Sequence, residues 1–292
     1  RFPAKLFRIL LMLVFGFLSS YCGVRYVQKH AADIKPSAGK TAEPLIAIAF
    51  TAPIAVLYLL FSAIQIVYLF IGNMQLPAGV TYAEYARRGF FQLLFVCVLN
   101  LAAVLSIQSY FKENRVLKAL LLAISGCTLI MTASSACRML LYIRAYQLTF
   151  LRVSVLVALA VIALLMAGVI AKIVKPQFPL FRYGFVLAGA VYLVFAFSHV
   201  DYFIAAYNLT HTSWEASGEE TVDYSYLYTL STDAAPAIEK YAGKSDAADY
   251  RKQGWYQLYC EANEEALNET GLRTYNVSHA VAKQLLMEDN RE

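Results

Sequence analysis

Charge is scarce in this chain, and acidic charge is scarcer still over its first 208 residues. Asp, Glu, Lys and Arg make up 15% of 292 residues, against about 25% in an ordinary soluble domain. Residues 1–208 hold 5 Asp/Glu against 18 Lys/Arg, whereas residues 209–292 hold 15 Asp/Glu against 7 Lys/Arg. Two regions with different solvents are therefore expected, one basic and apolar, the other acidic and polar. The basic residues punctuate apolar runs and gather into no patch, which excludes a nucleic-acid partner. Histidine is also rare. His30, His199, His211 and His279 are scattered, and no Cys-x-x-Cys or Cys/His spacing exists, so no metal site and no cofactor are expected. Cys22, Cys97, Cys127 and Cys137 fall in apolar runs as packing residues, with Cys260 alone in the tail. No P-loop, GxGxxG, GxSxG or HExxH is present. No inverted repeat of the transporter kind is visible either.

What is present is long apolar sequence. Hydrophobic residues make up 59% of the chain, with a mean hydropathy of +0.52. Roughly 20 apolar residues of helix cross a bilayer core about 30 Å thick. Six runs qualify, at about 6–27, 45–72, 89–110, 117–137, 153–173 and 183–207. Uninterrupted runs require helices, because lipid offers backbone groups no hydrogen bonds. The expectation is an all-α, polytopic membrane helix bundle over residues 1–208, with a small acidic helical lobe over 209–292. Pro44 suits a helix start and Pro53 should kink the second run. The chain opens Arg1-Phe2-Pro3 without an initiator Met, so an upstream segment is expected. The first run is followed by no small-residue cleavage site and is not read as a signal peptide.

Orientation rests on the last run. Lys172, Lys175 and Arg182 precede it, and no Lys or Arg follows until Lys240. By the positive-inside rule the lobe lies outside the cytoplasm. The opposite orientation would place the Arg138–Arg152 cluster inside.

Three stretches carry candidate chemistry. In Ser134–Arg152, continued helix would put Arg138, Tyr142, Ala145, Thr149 and Arg152 on one face, with Arg144 nearby. Two arginines with Tyr142 and Thr149 can grip a phosphate or a carboxylate. Alternatively the arginines anchor helix ends among lipid phosphates and Thr149 caps the fifth helix. In Ser198-His199-Val200-Asp201 an ionisable pair lies near a membrane boundary. Residues two apart point to different sides of a helix, so Asp201 suits a neighbouring Arg better than His199. In Thr81–Leu93, Thr81 and Glu84 read as a capping box opening a short interfacial helix. Tyr82, Tyr85, Arg87 and Arg88 would anchor it in the interface. A cation at membrane depth needs an offsetting partner. Arg138 or Arg152 is therefore expected within salt-bridge reach of Asp201 or Glu84.

In the tail, Leu227, Leu230, Ala234, Ile238 and Tyr241 suggest two short helices. Ser245-Asp246 would cap a third, with Tyr250, Trp255, Leu258, Tyr259 and Ala262 inward and Gly271 at its end. Ser278 would cap a fourth, with Val281 and Leu285 inward.

Tyr82–Leu93, Arg138–Arg152, Asp201–Asn208, Tyr226–Ala237 and Tyr275–Ser278 together resemble a family of bacterial multi-pass membrane proteins. That family is known only as a domain of unknown function, common in Firmicutes and Actinobacteria. The resemblance covers about residues 40–290. Members tend to carry Gly where this chain has Gln147, and usually have more helices upstream. The resemblance implies a fold and a bacterial cell-membrane location, and no activity. The reading is a non-enzymatic envelope sensor, scaffold or regulator in the bilayer, with the acidic lobe as a surface for a membrane or envelope protein partner. The alternatives are a transporter or channel subunit, or an intramembrane enzyme acting on a lipid-linked phosphate.

Overall fold

A computed structural model describes residues 25, 42–67, 82–211, 213–214, 220–221, 224–242, 250–268 and 276–288, with side chains of 82–91, 213–214, 220–221, 241–242, 250–253, 265–266 and 287–288 left out. The expected first span, apart from Arg25 in helical conformation, lies outside the described residues, as do Ser245-Asp246, Gly271 and Tyr275. Five helices here are long and apolar enough to cross a membrane. They are α1 (Pro44–Ile66), α2 (Tyr82–Tyr110), α3 (Arg115–Tyr146), α4 (Phe150–Val174) and α5 (Leu180–Phe197). Among the described residues the fold is all-helical except for a hairpin of two-residue strands, β1 (Ser213–Trp214) with β2 (Glu220–Thr221).

Local chemistry sets the ends. Pro44 occupies the first turn of α1, which then runs through Pro53. Asn114 Oδ1 accepts from Val116 N at the start of α3, and Thr149 Oγ1 accepts from Arg152 N at the start of α4, each capping an otherwise open donor. Ala42 pairs through its backbone with Tyr110 and Lys112, tying the start of α1 to the end of α2.

The central helix is α3, which packs against α1, α2 and α4, while α5 packs on α4. Thus α1 runs parallel to α3, and α2 and α4 run antiparallel to it. The C-terminus of α1, the N-terminal part of α2 and the C-terminus of α3 share one end of the bundle. At the α4–α5 contact, a Cβ on Gly168 would come within 2.5 Å of the Tyr183 ring. Only glycine allows this approach, in which Tyr183 Oη donates to Leu164 O at 2.9 Å. No residue of α5 is buried.

Three span boundaries differ from the sequence expectation. The segment from Tyr82 does not form a separate interfacial helix; it continues unbroken into α2, about 43 Å in all. The fourth run continues to Tyr146, nine residues past its expected end. The sixth run breaks at Ser198-His199, where His199 adopts φ 47°. The chain resumes as α6 (Val200–Thr210), which packs into the lobe.

The lobe adds α7 (Tyr224–Leu227), a 3₁₀ turn (Thr232–Ala234), α8 (Ala235–Ala242), α9 (Tyr250–Asn268) and α10 (Val277–Glu288). Its core joins Ile204 and Ala205 of α6 to Leu227, Leu230, Ala234, Ile238, Trp255, Tyr259 and Leu286. Two inward faces differ from expectation. On α9, Trp255, Tyr259, Asn263 and Leu267 are buried in steps of four, whereas Leu258 is 48% exposed and Ala262 is exposed too. Asn263 takes the inward place because its amide donates to Leu230 O at 3.2 Å and Tyr259 O at 3.0 Å. On α10, Ala282 and Leu286 are buried and Val281 is exposed. The cap is Asn276, whose Oδ1 accepts from Ser278 N at 2.9 Å.

Candidate functional site

The expected single face from Arg138 to Arg152 does not form, because α3 ends at Tyr146. Gln147 has φ 65° and ψ −178°, a region that is essentially glycine territory. Its side chain holds the strained turn in place. Gln147 Nε2 donates to Asn208 O at 3.3 Å and His211 O at 3.0 Å, the open carbonyls ending α6. Asn208, fully buried, reciprocates. Its Oδ1 accepts from Leu148 N and its Nδ2 donates to Leu148 O, both at 2.8 Å. Phe150 N donates to Tyr226 Oη at 2.9 Å. This joint fastens the α3–α4 turn to the lobe.

The arginines serve different ends. Arg152 donates to Tyr146 O at 2.6 Å and to Gln147 O, satisfying carbonyls that close α3. Its guanidinium lies 4.3 Å from the Tyr142 ring centroid, a cation–π contact. Thr149 caps α4, as the alternative reading had it. Arg144 is exposed in the last turn of α3, where a cation complements the helix dipole.

Asp201 does not meet an arginine. Its Oδ2 accepts from Ser231 N at 3.2 Å and Ser231 Oγ at 2.6 Å. The 3₁₀ turn presents a backbone donor and a hydroxyl together, which satisfy the carboxylate better than a distant cation. His199 Nδ1 lies 3.5 Å from Asp233 Oδ1 on the same turn. Both residues thus hold the first turn of α6 against the lobe. Beneath them Tyr259 Oη donates to Ser231 O at 2.8 Å. Burial, reinforced by Cys260, Asp201 and Asp233, pushes its phenol above the ordinary tyrosine range. Burial also raises the Cys260 thiol, so this cysteine is a poor nucleophile. The side chains of Tyr82, Glu84, Tyr85, Arg87 and Arg88 lie outside those described, as does any pairing of Glu84. No group of three metal-ligating side chains occurs among the described residues.

Arg138 sits elsewhere, in a polar seam that composition averages conceal. Gln65 Oε1 accepts from Ser134 Oγ at 2.7 Å and from Arg138 Nη2 at 3.0 Å. Deeper in the bundle, Tyr58 Oη donates to Asn100 Oδ1 at 2.8 Å, and Asn100 Nδ2 donates to Thr128 Oγ1 at 3.0 Å. Sequence reasoning missed Gln65, Asn100 and Thr128. The available signal was spacing: Thr51, Ala55, Tyr58, Ser62 and Gln65 step by four, three, four and three along α1. That pattern marks a small-and-polar helix interface inside an apolar run. A cleft of about 470 Å³ opens beside the seam, lined by Leu57, Tyr58, Phe61, Gln65, Gln92, Leu93, Val96, Met131 and Arg138.

Residues 1–241 match the family described as Domain of unknown function (DUF4153), and the chain belongs to that family. No curated protein matches the chain, and no solved structure matches it.

Proposed function

We propose that this chain is a multi-pass protein of a bacterial cell membrane that acts without catalysis, as an envelope regulator. Its lobe faces away from the cytoplasm and is coupled to the bundle through the Gln147–Asn208 joint. The observation that carries this reading is the use made of the expected reactive groups. Arg152, Thr149, Asp201 and His199 all hold helix ends or lobe contacts. A lobe fixed to a helix turn by buried polar groups transmits displacement, since such joints have discrete arrangements and little continuous give. The acidic tail supplies a docking surface for a membrane or envelope protein partner. The basic residues Lys112, Arg115, Lys118, Lys172, Lys175 and Arg182 gather at the bundle end opposite the lobe, which supports the orientation. The bacterial setting rests on the sequence resemblance. Transporter and enzyme readings call for one cavity joining Arg138 to His199 and Asp201, and neither of those two lines the cleft at Arg138.

The test uses cells lacking the chain. Asn208→Ala should abolish restoration of wild-type behaviour at unchanged membrane abundance, while Arg144→Gln should restore it fully. Full restoration by Asn208→Ala would sink the coupling. For orientation, Glu264→Cys should react with an impermeant maleimide on intact cells. Reaction only after lysis would place the lobe inside.

A further inference from the structure

The cleft beside Arg138 is graded along the bundle axis. Gln65, Gln92 and Arg138 line one end. Tyr58 lies seven residues before Gln65 and Met131 seven before Arg138, each about 10 Å deeper at 1.5 Å per residue. The apolar walls are Leu57, Phe61, Leu93, Val96 and Met131, from three helices. A cavity that is polar at one end and apolar along its length fits an amphiphile and not a small polar solute.

The depth is also specific. Lys118 and Arg138 on α3 are separated by about 30 Å of helix, the thickness of the hydrocarbon core. With Lys118 at one boundary, Arg138 lies at the other, level with lipid headgroups on the lobe's side.

The polar end asks for an acceptor. Gln65 is 7% exposed, and two donors already converge on its Oε1. That fixes the amide orientation and leaves Nε2 as a donor with no acceptor among the described residues. Because Gln65 lines the cleft, that N–H is open to an occupant there. The Gln65 amide and the Arg138 guanidinium line the same end, so both can serve one anionic oxygen group. Guanidinium geometry matches phosphate.

We propose that this cleft is a binding site for one anionic phospholipid from the leaflet on the lobe's side. Its phosphate is held by Arg138 and Gln65, with Gln92 at the rim, and an acyl chain runs along Phe61, Leu93, Val96 and Met131. The site rests on the reading of the bundle as membrane-embedded. It does not depend on the regulatory role.

The full chain, purified in mild detergent, is titrated with mixed micelles of phosphatidylglycerol or phosphatidylcholine, and bound lipid is counted by native mass spectrometry. One phosphatidylglycerol should bind at least about tenfold more tightly than phosphatidylcholine. Arg138→Gln should remove that preference, and Arg144→Gln should keep it. Val96→Trp fills the channel without touching the polar end and should abolish tight binding of either lipid. It also decides the matter if Arg138→Gln fails to fold. Millimolar inorganic phosphate should not displace the lipid. Equal binding of the two lipids, a preference that survives Arg138→Gln, tight binding in Val96→Trp, or displacement by phosphate would each overturn the proposal. A chain that stays monodisperse without detergent would instead overturn the membrane reading, a result separate from any lipid preference.

Discussion

Inside the bundle of α1–α5 lie Thr51, Ser62, Gln65, Asn100, Ser125, Thr128 and Thr132, while Phe181 at 88% exposed and Phe185 at 75% lie outside. Inside the lobe lie Trp255, Tyr259, Leu227, Ile238 and Leu286, with Glu261 and Glu264 exposed. Beside an apolar core of Leu117, Leu121, Ile124, Met131 and Met166, the bundle thus buries a run of small polar side chains, whereas the lobe's interior is mainly apolar and aromatic. In water, burying a large apolar side chain contributes about 1.5–3 kcal/mol. In lipid that driving force is absent, and close packing of small residues with polar pairs holds helices together. The two interiors meet near Ser198-His199, where the apolar α5 stops and α6 enters the lobe core.

The sharpest way to break the contrast is to truncate an aromatic ring on each side. Tyr259→Ala should destabilise the lobe by about 3–5 kcal/mol, the usual range for emptying a buried aromatic site. Phe185→Ala should change stability in detergent by under about 0.5 kcal/mol. Thermal unfolding followed by circular dichroism reads both. Equal losses would mean that the two regions share one solvent.

A smaller effect is expected at the joint. Gln147→Ala keeps the positive φ and removes two hydrogen bonds, a loss of about 1–3 kcal/mol. Gln147→Gly loses the same bonds but relieves backbone strain of about 1–3 kcal/mol, so it should stay near the native value. An alanine variant as stable as the native chain would show that the amide bonds contribute nothing.

The smallest effect concerns pH. Tyr259→Phe removes one hydrogen bond, worth about 1 kcal/mol near neutrality. Burial raises the Tyr259 phenol above its usual value of about 10. The folded lobe therefore favours the protonated form. That contribution is complete below about pH 10 and declines as pH rises toward the folded value. Lobe stability should fall at alkaline pH in the native chain and fall less in Tyr259→Phe. Identical alkaline profiles would remove Tyr259 from the account.

The apolar runs at 45–72, 117–137 and 153–173 made α1, α3 and α4 legible, because twenty apolar residues in lipid have one solution. The break at Ser198-His199 was not legible. No Gly or Pro marks it, and the apolar composition continues into α6. Its cause is tertiary: Ile204 and Ala205 enter the lobe core, and Asp201 binds Ser231. The inward faces of α9 and α10 slipped for a related reason. Leu258 and Val281 look like core residues, but a buried Asn263 that satisfies Leu230 O fixes the phase of α9, and Ala282 and Leu286 take the inward places of α10. Of the candidate site, Arg138 and Arg152 were legible as cations needing partners. The Gln65 contact of Arg138 and the two backbone carbonyls held by Arg152 were not, since a search for carboxylates finds neither kind of acceptor. At position 147 the backbone takes a φ of 65°, which ordinarily favours glycine, and the Gln147 side-chain bonds hold it there.

The central claim is that the outer faces of α1–α5 contact lipid while the lobe stands in water. Spin labels placed singly at Phe185, Val194 and Leu258 in the chain reconstituted into vesicles test it through collisions with oxygen and with a water-soluble nickel complex. The account predicts high oxygen and low nickel accessibility at 185 and 194, and the reverse at 258. Strong nickel accessibility at 185 and 194 would contradict it.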